Sequence, residues 1–363
     1  MSASTRLISL SRHQIDIVSL LANDIGHDAY VNVLKVSADG KWVATGSSDA
    51  TVILWDAQRG CISQEWFAHE RAIVHLAFSP DGRSLASVGG DIKVKIWDIT
   101  QDARTVSVVE GARYCAWSPD GTWIAVVNMY GVVELWDAHT LQRFRVLEEL
   151  KDTKRIFFNL TFLTGSRWLV ADGEKTLGIW NVPSGTFKTF DIPYAIAKHQ
   201  RYVYPCHPTS PCLAIGYSRS EARIWNVETG EAHVLPGAVD DHKYVVAFSP
   251  DGQLALTAEA YGVMKIWDVN TGAVVTSCKG HVFRVRVACF SACGKYIAST
   301  AQDSTVKVWK ASDGSCLETF FEPRSSVWSM AFTPDGNMLW TGDIYGTVIG
   351  YRILDVVPEE SAQ

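Results

Sequence analysis

Three sets of residues in this 363-residue chain have the types of a nucleophilic triad: His27 with Thr45 and Asp49, His69 with Ser87 and Asp91, and His281 with Ser299 and Asp303. A histidine that takes a proton from a hydroxyl while a carboxylate holds its ring is the arrangement of acyl-transfer hydrolysis. Such chemistry needs one set, held once in a cleft. Here the set recurs, and its spacing recurs with it: each Asp lies six residues before a tryptophan (Trp55, Trp97 or Trp309), and each hydroxyl four residues before the Asp. Where the Asp is missing, at Tyr130, Glu174, Arg219, Tyr261 and Tyr345, the histidine position is usually changed too, with His199 and His242 as imperfect survivors. Joint presence and joint loss is what a buried polar network predicts, because a leftover member would be costly to desolvate. The trios are read as structural, and no residue is assigned a catalytic role.

Other chemistry finds little support. Cys206, His207 and Cys212 have poor spacing for zinc, so neither a metal site nor a cofactor is expected. Phosphate-loop GxxxxGK[ST] and nucleophile-elbow GxSxG motifs are absent. The eight cysteines form no CxxC pair and are read as reduced and mostly buried small hydrophobes. The sequon Asn159-Leu160-Thr161 reads as part of a strand. A net charge of −6 and a pI near 5.9 disfavour a mainly electrostatic grip on nucleic acid or an anionic membrane. The N-terminal MSASTRLISLSRHQ has no sustained apolar region, and no stretch approaches the roughly 18 apolar residues of a membrane span. Cytoplasm or nucleus is the expected compartment, and no oligomer signal stands out.

The tryptophans that punctuate the trios belong to a longer beat. An apolar stretch ending in an aromatic and a polar residue recurs as ILWD, KIWD, ELWD, GIWN, RIWN, KIWD, KVWK and IGYR. Its aromatics, Trp55, Trp97, Trp136, Trp180, Trp225, Trp267, Trp309 and Tyr351, are spaced by 42, 39, 44, 45, 42, 42 and 42 residues. Earlier in most units a hydrophobic run meets a turn written SADG, SPDG, SACG or TPDG, whose Pro and Gly suit the reversal between antiparallel strands. Four short strands per unit make a sheet with two uncovered faces, so neighbouring units must stack around an axis.

With Trp-Asp dipeptides, SPDG turns and this interval together, residues 16 to 352 resemble the WD-repeat (WD40) β-propeller family. The fourth and fifth units (165 to 180, 207 to 225) keep the spacing but lack a good SPDG. The resemblance implies an all-β fold in which the first segment of the chain completes the last blade. Residues 352 to 363 offer no convincing outer strand, whereas Ile15 to Leu21 does. The expectation is one propeller over 15–353, with tails at 1–14 and 354–363, and eight blades closed by the N-terminal strand. Seven blades plus a divergent repeat is the alternative. The resemblance also implies that each His–Asp–hydroxyl trio joins its Trp in a hydrogen-bond chain.

In the family, the favoured contact surface carries the loop entering each first strand and the turn before each Trp strand. Aligning the units by their first turns puts Tyr30, Asn32, Arg113, Phe158, Tyr202, Tyr244, Arg284, Arg286 and Trp328 at the strand entries, and Tyr130, Tyr261, Gln302 and Tyr345 at the preceding-turn positions. Tyr, Trp and Arg are the types enriched at binding hot spots. Arg284 and Arg286 alternate along a strand and so can point the same way; with Arg113 they could receive a carboxylate or phosphate. In Tyr130-Gly131, Tyr261-Gly262 and Tyr345-Gly346 the tyrosine either shields the turn or contacts a ligand. Trp42, Trp123 and Trp168 are expected on strand faces, leaving Trp328 as the functional candidate. The expected function is a non-enzymatic scaffold that docks peptide or protein partners, acidic or phosphorylated ones included, on the top face and helps assemble a multiprotein complex. A hydrolase-like propeller and an RNA or phospho-ligand module are the alternatives. Arg two residues after the WD dipeptide, a ligase-docking signature, is absent, as is the Arg-Arg-Gly of lipid-binding propellers.

Overall fold

A computed structural model describes residues 15–21, 26–147, 157–173, 176–191, 207–216, 221–236, 244–321 and 326–355. Among these residues the chain forms eight antiparallel sheets, one per sequence unit, and no α-helix. Blades 1 to 4 and 6 and 7 each run strand by strand outward from a first, inner strand: Val31–Val36, Ile73–Phe78, Ala112–Trp117, Phe157–Phe162, Tyr244–Phe248 and Val285–Phe290. Blade 5 shows three strands, Cys212–Gly216, Glu221–Asn226 and Ala232–Pro236. Blade 8 starts at Val327–Phe332 and is completed by the N-terminal Ile15–Leu21, which pairs antiparallel with Val348–Asp355 from Ile15↔Asp355 to Leu21↔Ile349. Eight blades closed by the N-terminal strand is the expected architecture, and the seven-blade alternative is set aside. The last strand runs to Asp355, two residues past the expected boundary at 353, because Ile15 still has a partner there.

Closure is also visible in the core. The buried apolar residues fall into eight clusters, and each spans two consecutive blades, including one that joins Met338 and Trp340 of blade 8 to Val43, Ile53 and Trp55 of blade 1. The beat aromatics explain why the repeat must be periodic. Trp55 packs on blade 8, Trp97 on blade 1, Trp136 on blade 2, and so on round to Tyr351 on blade 7, so each fills the seam with the blade before it. A ring needs that filler once per seam, which fixes one large aromatic per unit. Trp42 and Trp123 are partly buried against such clusters and Trp168 is buried in one, as expected of strand-face residues. Asn159 lies in an inner strand.

The cysteines need correction. Seven are described, all free thiols; Cys115 and Cys278 are buried, but Cys61, Cys293 and Cys316 are exposed. Cys61 and Cys316 open outermost strands, and Cys293 occupies a turn, places where one side of the backbone always faces water. Among the described residues no helix is long and apolar enough to cross a membrane, and no His, Cys, Asp and Glu grouping could hold a metal. Cys206 lies outside the described residues, and the Nε2 of His207 is already 2.9 Å from the Gly252 carbonyl.

Candidate functional site

The three trios close into hydrogen-bond chains. His69 Nδ1 lies 2.9 Å from Asp91 and its Nε2 2.7 Å from Ser87, whose hydroxyl oxygen accepts the Trp97 indole N–H at 2.8 Å. His27, Asp49, Thr45 and Trp55 repeat this in blade 1, and His281, Asp303, Ser299 and Trp309 in blade 7. With Nδ1–H given to the carboxylate, Nε2 accepts from the hydroxyl, so every group is used. Each Asp also accepts the backbone N–H of the residue after its histidine, Asp28, Glu70 or Val282, which pins the loop that leads into the blade. Blade 6 keeps only the last link, Trp267 to Thr257 at 2.8 Å.

Burial pushes His27, His69 and His281 below the ordinary 6.5, against the pull of the neighbouring aspartates. Burial opposes charge on the aspartates too, but hydrogen bonds overcome it and hold all three below 3.8: from Thr51 for Asp49, from the Glu70 N–H for Asp91 and from Thr305 for Asp303. Below pH 6.5 the unfolded chain therefore takes up protons on these histidines before the folded ring does, and stability falls with pH. A second loss follows below 3.8, where the unfolded aspartates protonate first. Both contributions are fully present above pH 6.5. Urea midpoints are expected to drop from about pH 7 to about pH 5 and more steeply below about pH 4; a midpoint flat across the first interval would contradict neutral, desolvated histidines.

The contact surface depends on an irregularity of the inner strands. In blades 1, 2, 3, 4, 7 and 8 the pairing slips by one residue between the first and third residues of the inner strand, so the second is an extra, unpaired residue. Those extra residues are Asn32, Val74, Arg113, Phe158, Arg286 and Trp328. Bulges of this kind re-aim a side chain, and here each of these six blades has one at the same place on its inner strand.

The bulge corrects the expectation that Arg284 and Arg286 point the same way. It breaks the two-residue period between them: Arg284 is half-buried and its carbonyl accepts the Gln302 N–H, whereas Arg286 is exposed with its guanidinium 5.1 Å from the ring of Trp328. Trp328 is 48% exposed. Arg113 stands on blade 3, four blades from Arg286 and hence on the far side of an eight-membered ring, so the two do not form one small anion site. Asn32 is committed to structure, its amide donating to Ser48 and to the Ile73 carbonyl of blade 2, both at 2.9 Å.

At the Tyr-Gly turns the exposures bear on one of the two alternatives. Tyr130, Tyr261 and Tyr345 are more than half exposed, so they do not shield their turns by packing. The glycines carry that role: a Cβ on Gly262 would run into the carbonyls of His281 and Phe283, and one on Gly346 into those of His27 and Ala29. The close approach sets Tyr261 beside the loop into blade 7 and Tyr345 beside the loop into blade 1, where Tyr30 is also more than half exposed. Round blades 6, 7, 8 and 1 the rim thus presents Tyr261, Phe283, Arg286, Trp328, Tyr345 and Tyr30. Phe283 was missed in sequence because it lies one residue beyond the aligned entry positions. Gln302 is exposed on blade 7. Phe158 and Tyr244 are described as backbone only, and Tyr202, His199 and His242 lie outside the described residues. On the face that carries the first turns, a cleft of about 560 Å³ between blades 3 and 4 has Trp123, Phe144, Arg145 and Arg167 in its walls; nothing in the repeat pattern announced it.

The fold and its rim define a closed eight-bladed β-propeller in which each blade carries an aromatic-marked strand. Six segments, residues 19–56, 60–98, 107–137, 231–268, 272–310 and 314–349, match the family described as "WD domain, G-beta repeat", together more than half of the chain. The chain belongs to the WD40 family. The unmatched stretch between 137 and 231 holds blade 4 and the first two described strands of blade 5, the units without a good SPDG. The chain is similar to serine-threonine kinase receptor-associated protein of Gallus gallus, 24% identical over 253 residues covering 68% of this chain and 69% of that protein. It is similar also to nuclear distribution protein PAC1-1 of Uncinocarpus reesii, 25% identical over 334 residues covering 85% and 68%. With apoptotic protease-activating factor 1 of Rattus norvegicus it shares 22% over 409 residues, 96% of this chain but 32% of that protein. Among solved structures, the computationally designed Ika8 protein matches with a TM-score of 0.71 and 22% identity, covering 90% of this chain and 97% of that one, a likeness of fold.

Proposed function

We propose that the protein is a non-enzymatic docking ring of the cytoplasm or nucleus, whose rim across blades 6, 7, 8 and 1 holds a segment of a partner protein within a larger complex. One observation carries the reading: Arg286, exposed and with its guanidinium over the Trp328 ring at 5.1 Å, stands in an arc of exposed aromatics, and among the described residues no carboxylate pairs with it. A guanidinium over an indole face can still turn N–H groups to an oxyanion while the ring supplies contact area. The segment it suits is acidic or phosphorylated and carries an apolar residue for the tyrosine side of the arc. Membership of the WD40 family and similarity to a receptor-associated protein support a docking role.

The test is affinity purification of the full chain, with a photo-crosslinker at position 328 and, as control, at exposed Lys41 on the opposite face. Crosslinks from 328 should identify one partner, and Arg286→Ala with Trp328→Ala should weaken it by about 30-fold or more, the hot-spot range. Arg286→Glu should abolish it. A partner retained at full affinity by the double variant would overturn the proposal.

A further inference from the structure

The inner strands carry a second feature, independent of the rim. None of the seven described inner strands contains Asp or Glu, although the chain as a whole has an excess of acids. Two of them carry basic residues below the rim: Lys35 in blade 1 and, in the adjacent blade 2, His75. An inner strand is covered on one edge by the second strand of its own sheet and on both faces by neighbouring blades. The limited exposure of Lys35 and His75 can therefore only be toward the axial channel.

Neither has a counter-charge among the described residues. His75 Nδ1 is buried without a hydrogen-bond partner, and the neighbouring ring is Tyr114 of blade 3, edge-on at 6.3 Å. Burial alone pushes Lys35 below its ordinary 10.5, with no carboxylate acting on it; burial and then the Lys35 charge push His75 down to about 3. Desolvating an ammonium group without a counter-charge destabilises a fold, which is what a site kept for a ligand looks like before the ligand arrives.

We propose that the axial channel binds an oxyanion of the phosphate class between Lys35 and His75. The charge count favours a dianion over a single carboxylate. Burial is the larger cause of the neutral His75 and the Lys35 charge the smaller; an anion between them offsets the Lys35 charge and attracts a proton to the imidazole against its burial, and a doubly charged anion does so more strongly than a singly charged one. Phosphate carries about 1.5 to 2 negative charges near neutral pH and spreads them over several acceptor oxygens, enough for donors from two blades. The exposed cations Arg286 and Arg113 at the rim give the mouth the sign that draws such an ion in.

The test uses the full chain and inorganic phosphate, followed by calorimetry and by the phosphorus-31 signal of the free ion. One saturable site is expected, with phosphate raising the melting temperature. Lys35→Met, close in shape and uncharged, should weaken binding by about tenfold or more while leaving the ligand-free protein at least as stable. Lys35→Arg should retain binding, and His75→Gln should weaken it, which keeps the idea testable if Lys35→Met folds poorly. Arg286→Ala with Trp328→Ala should leave phosphate binding intact, so failure of the rim reading and failure of this one are separable. A phosphoserine peptide that displaces inorganic phosphate would mark the anion as one carried on a peptide; a peptide that does not would mark it as a free ion. Absence of saturable binding, or binding indifferent to Lys35→Met, would overturn the site.

Discussion

Replacing Trp309 by Ala is expected to cost about 3–5 kcal/mol of stability, the range for deleting a buried large aromatic. Trp309 is 0% exposed and fills the seam between blades 6 and 7, with Leu256, Ile266 and Phe290 in the same cluster. Its indole N–H also donates to Ser299, and its ring lies 5.8 Å from His281. Alanine would leave a cavity and strip one donor from a network whose other members stay buried. Phenylalanine would keep most of the volume and lose mainly the N–H, for about 1–2 kcal/mol. Trp328→Ala, by contrast, should move stability by no more than about 0.5 kcal/mol, since that side chain is half in water. Urea unfolding of the three variants reads the order directly. Equal losses from Trp309→Ala and Trp328→Ala would refute the division between seam and rim tryptophans.

Removing residues 1–21 is the other large effect. The deletion takes away the seven-residue pairing of Ile15–Leu21 with Val348–Asp355 and leaves the latter with a bare edge. Net backbone hydrogen bonds of about 1 kcal/mol each put the loss near 5 kcal/mol. The new edge is also a template for pairing with another chain, so the truncated protein should associate as concentration rises. Light scattering and thermal melting check both. A synthetic peptide of residues 15–21, added in trans, should restore the monomer and part of the melting temperature. A truncated chain that stays monomeric with an unchanged melt would mean the ring does not depend on that strand.

The architecture was legible because it is written in a local code. A large aromatic is needed at every seam, so Trp55 through Tyr351 mark the blades in order, and the joint loss of His and Asp marks the blades that do without the network. The rim was legible only in part. Its residue types could be read from the aligned entries, but their directions depend on a bulge, and a one-residue slip cannot be seen in an apolar strand such as VRVACF. That is why Arg284 and Arg286 looked equivalent and are not. Lys35 and His75 were invisible for another reason. Each is an ordinary polar residue in an alternating strand, and only the closing of eight sheets into a ring turns the solvent side of that strand into the wall of a channel.

The join between the first and last strands of the ring also imposes an order in time. Ile15–Leu21 leaves the ribosome before the rest of the ring, and its partner Val348–Asp355 is made more than 300 residues later. At roughly 5–20 residues per second, the segment waits on the order of 20–60 s with no strand of its own blade to join. Seven blades can stack as they emerge, each on the one before, but the eighth must reach back to a segment that has been waiting throughout. The most exposed step in building this ring is thus its closure, and the waiting segment, IDIVSLL, is apolar enough to need shielding until then.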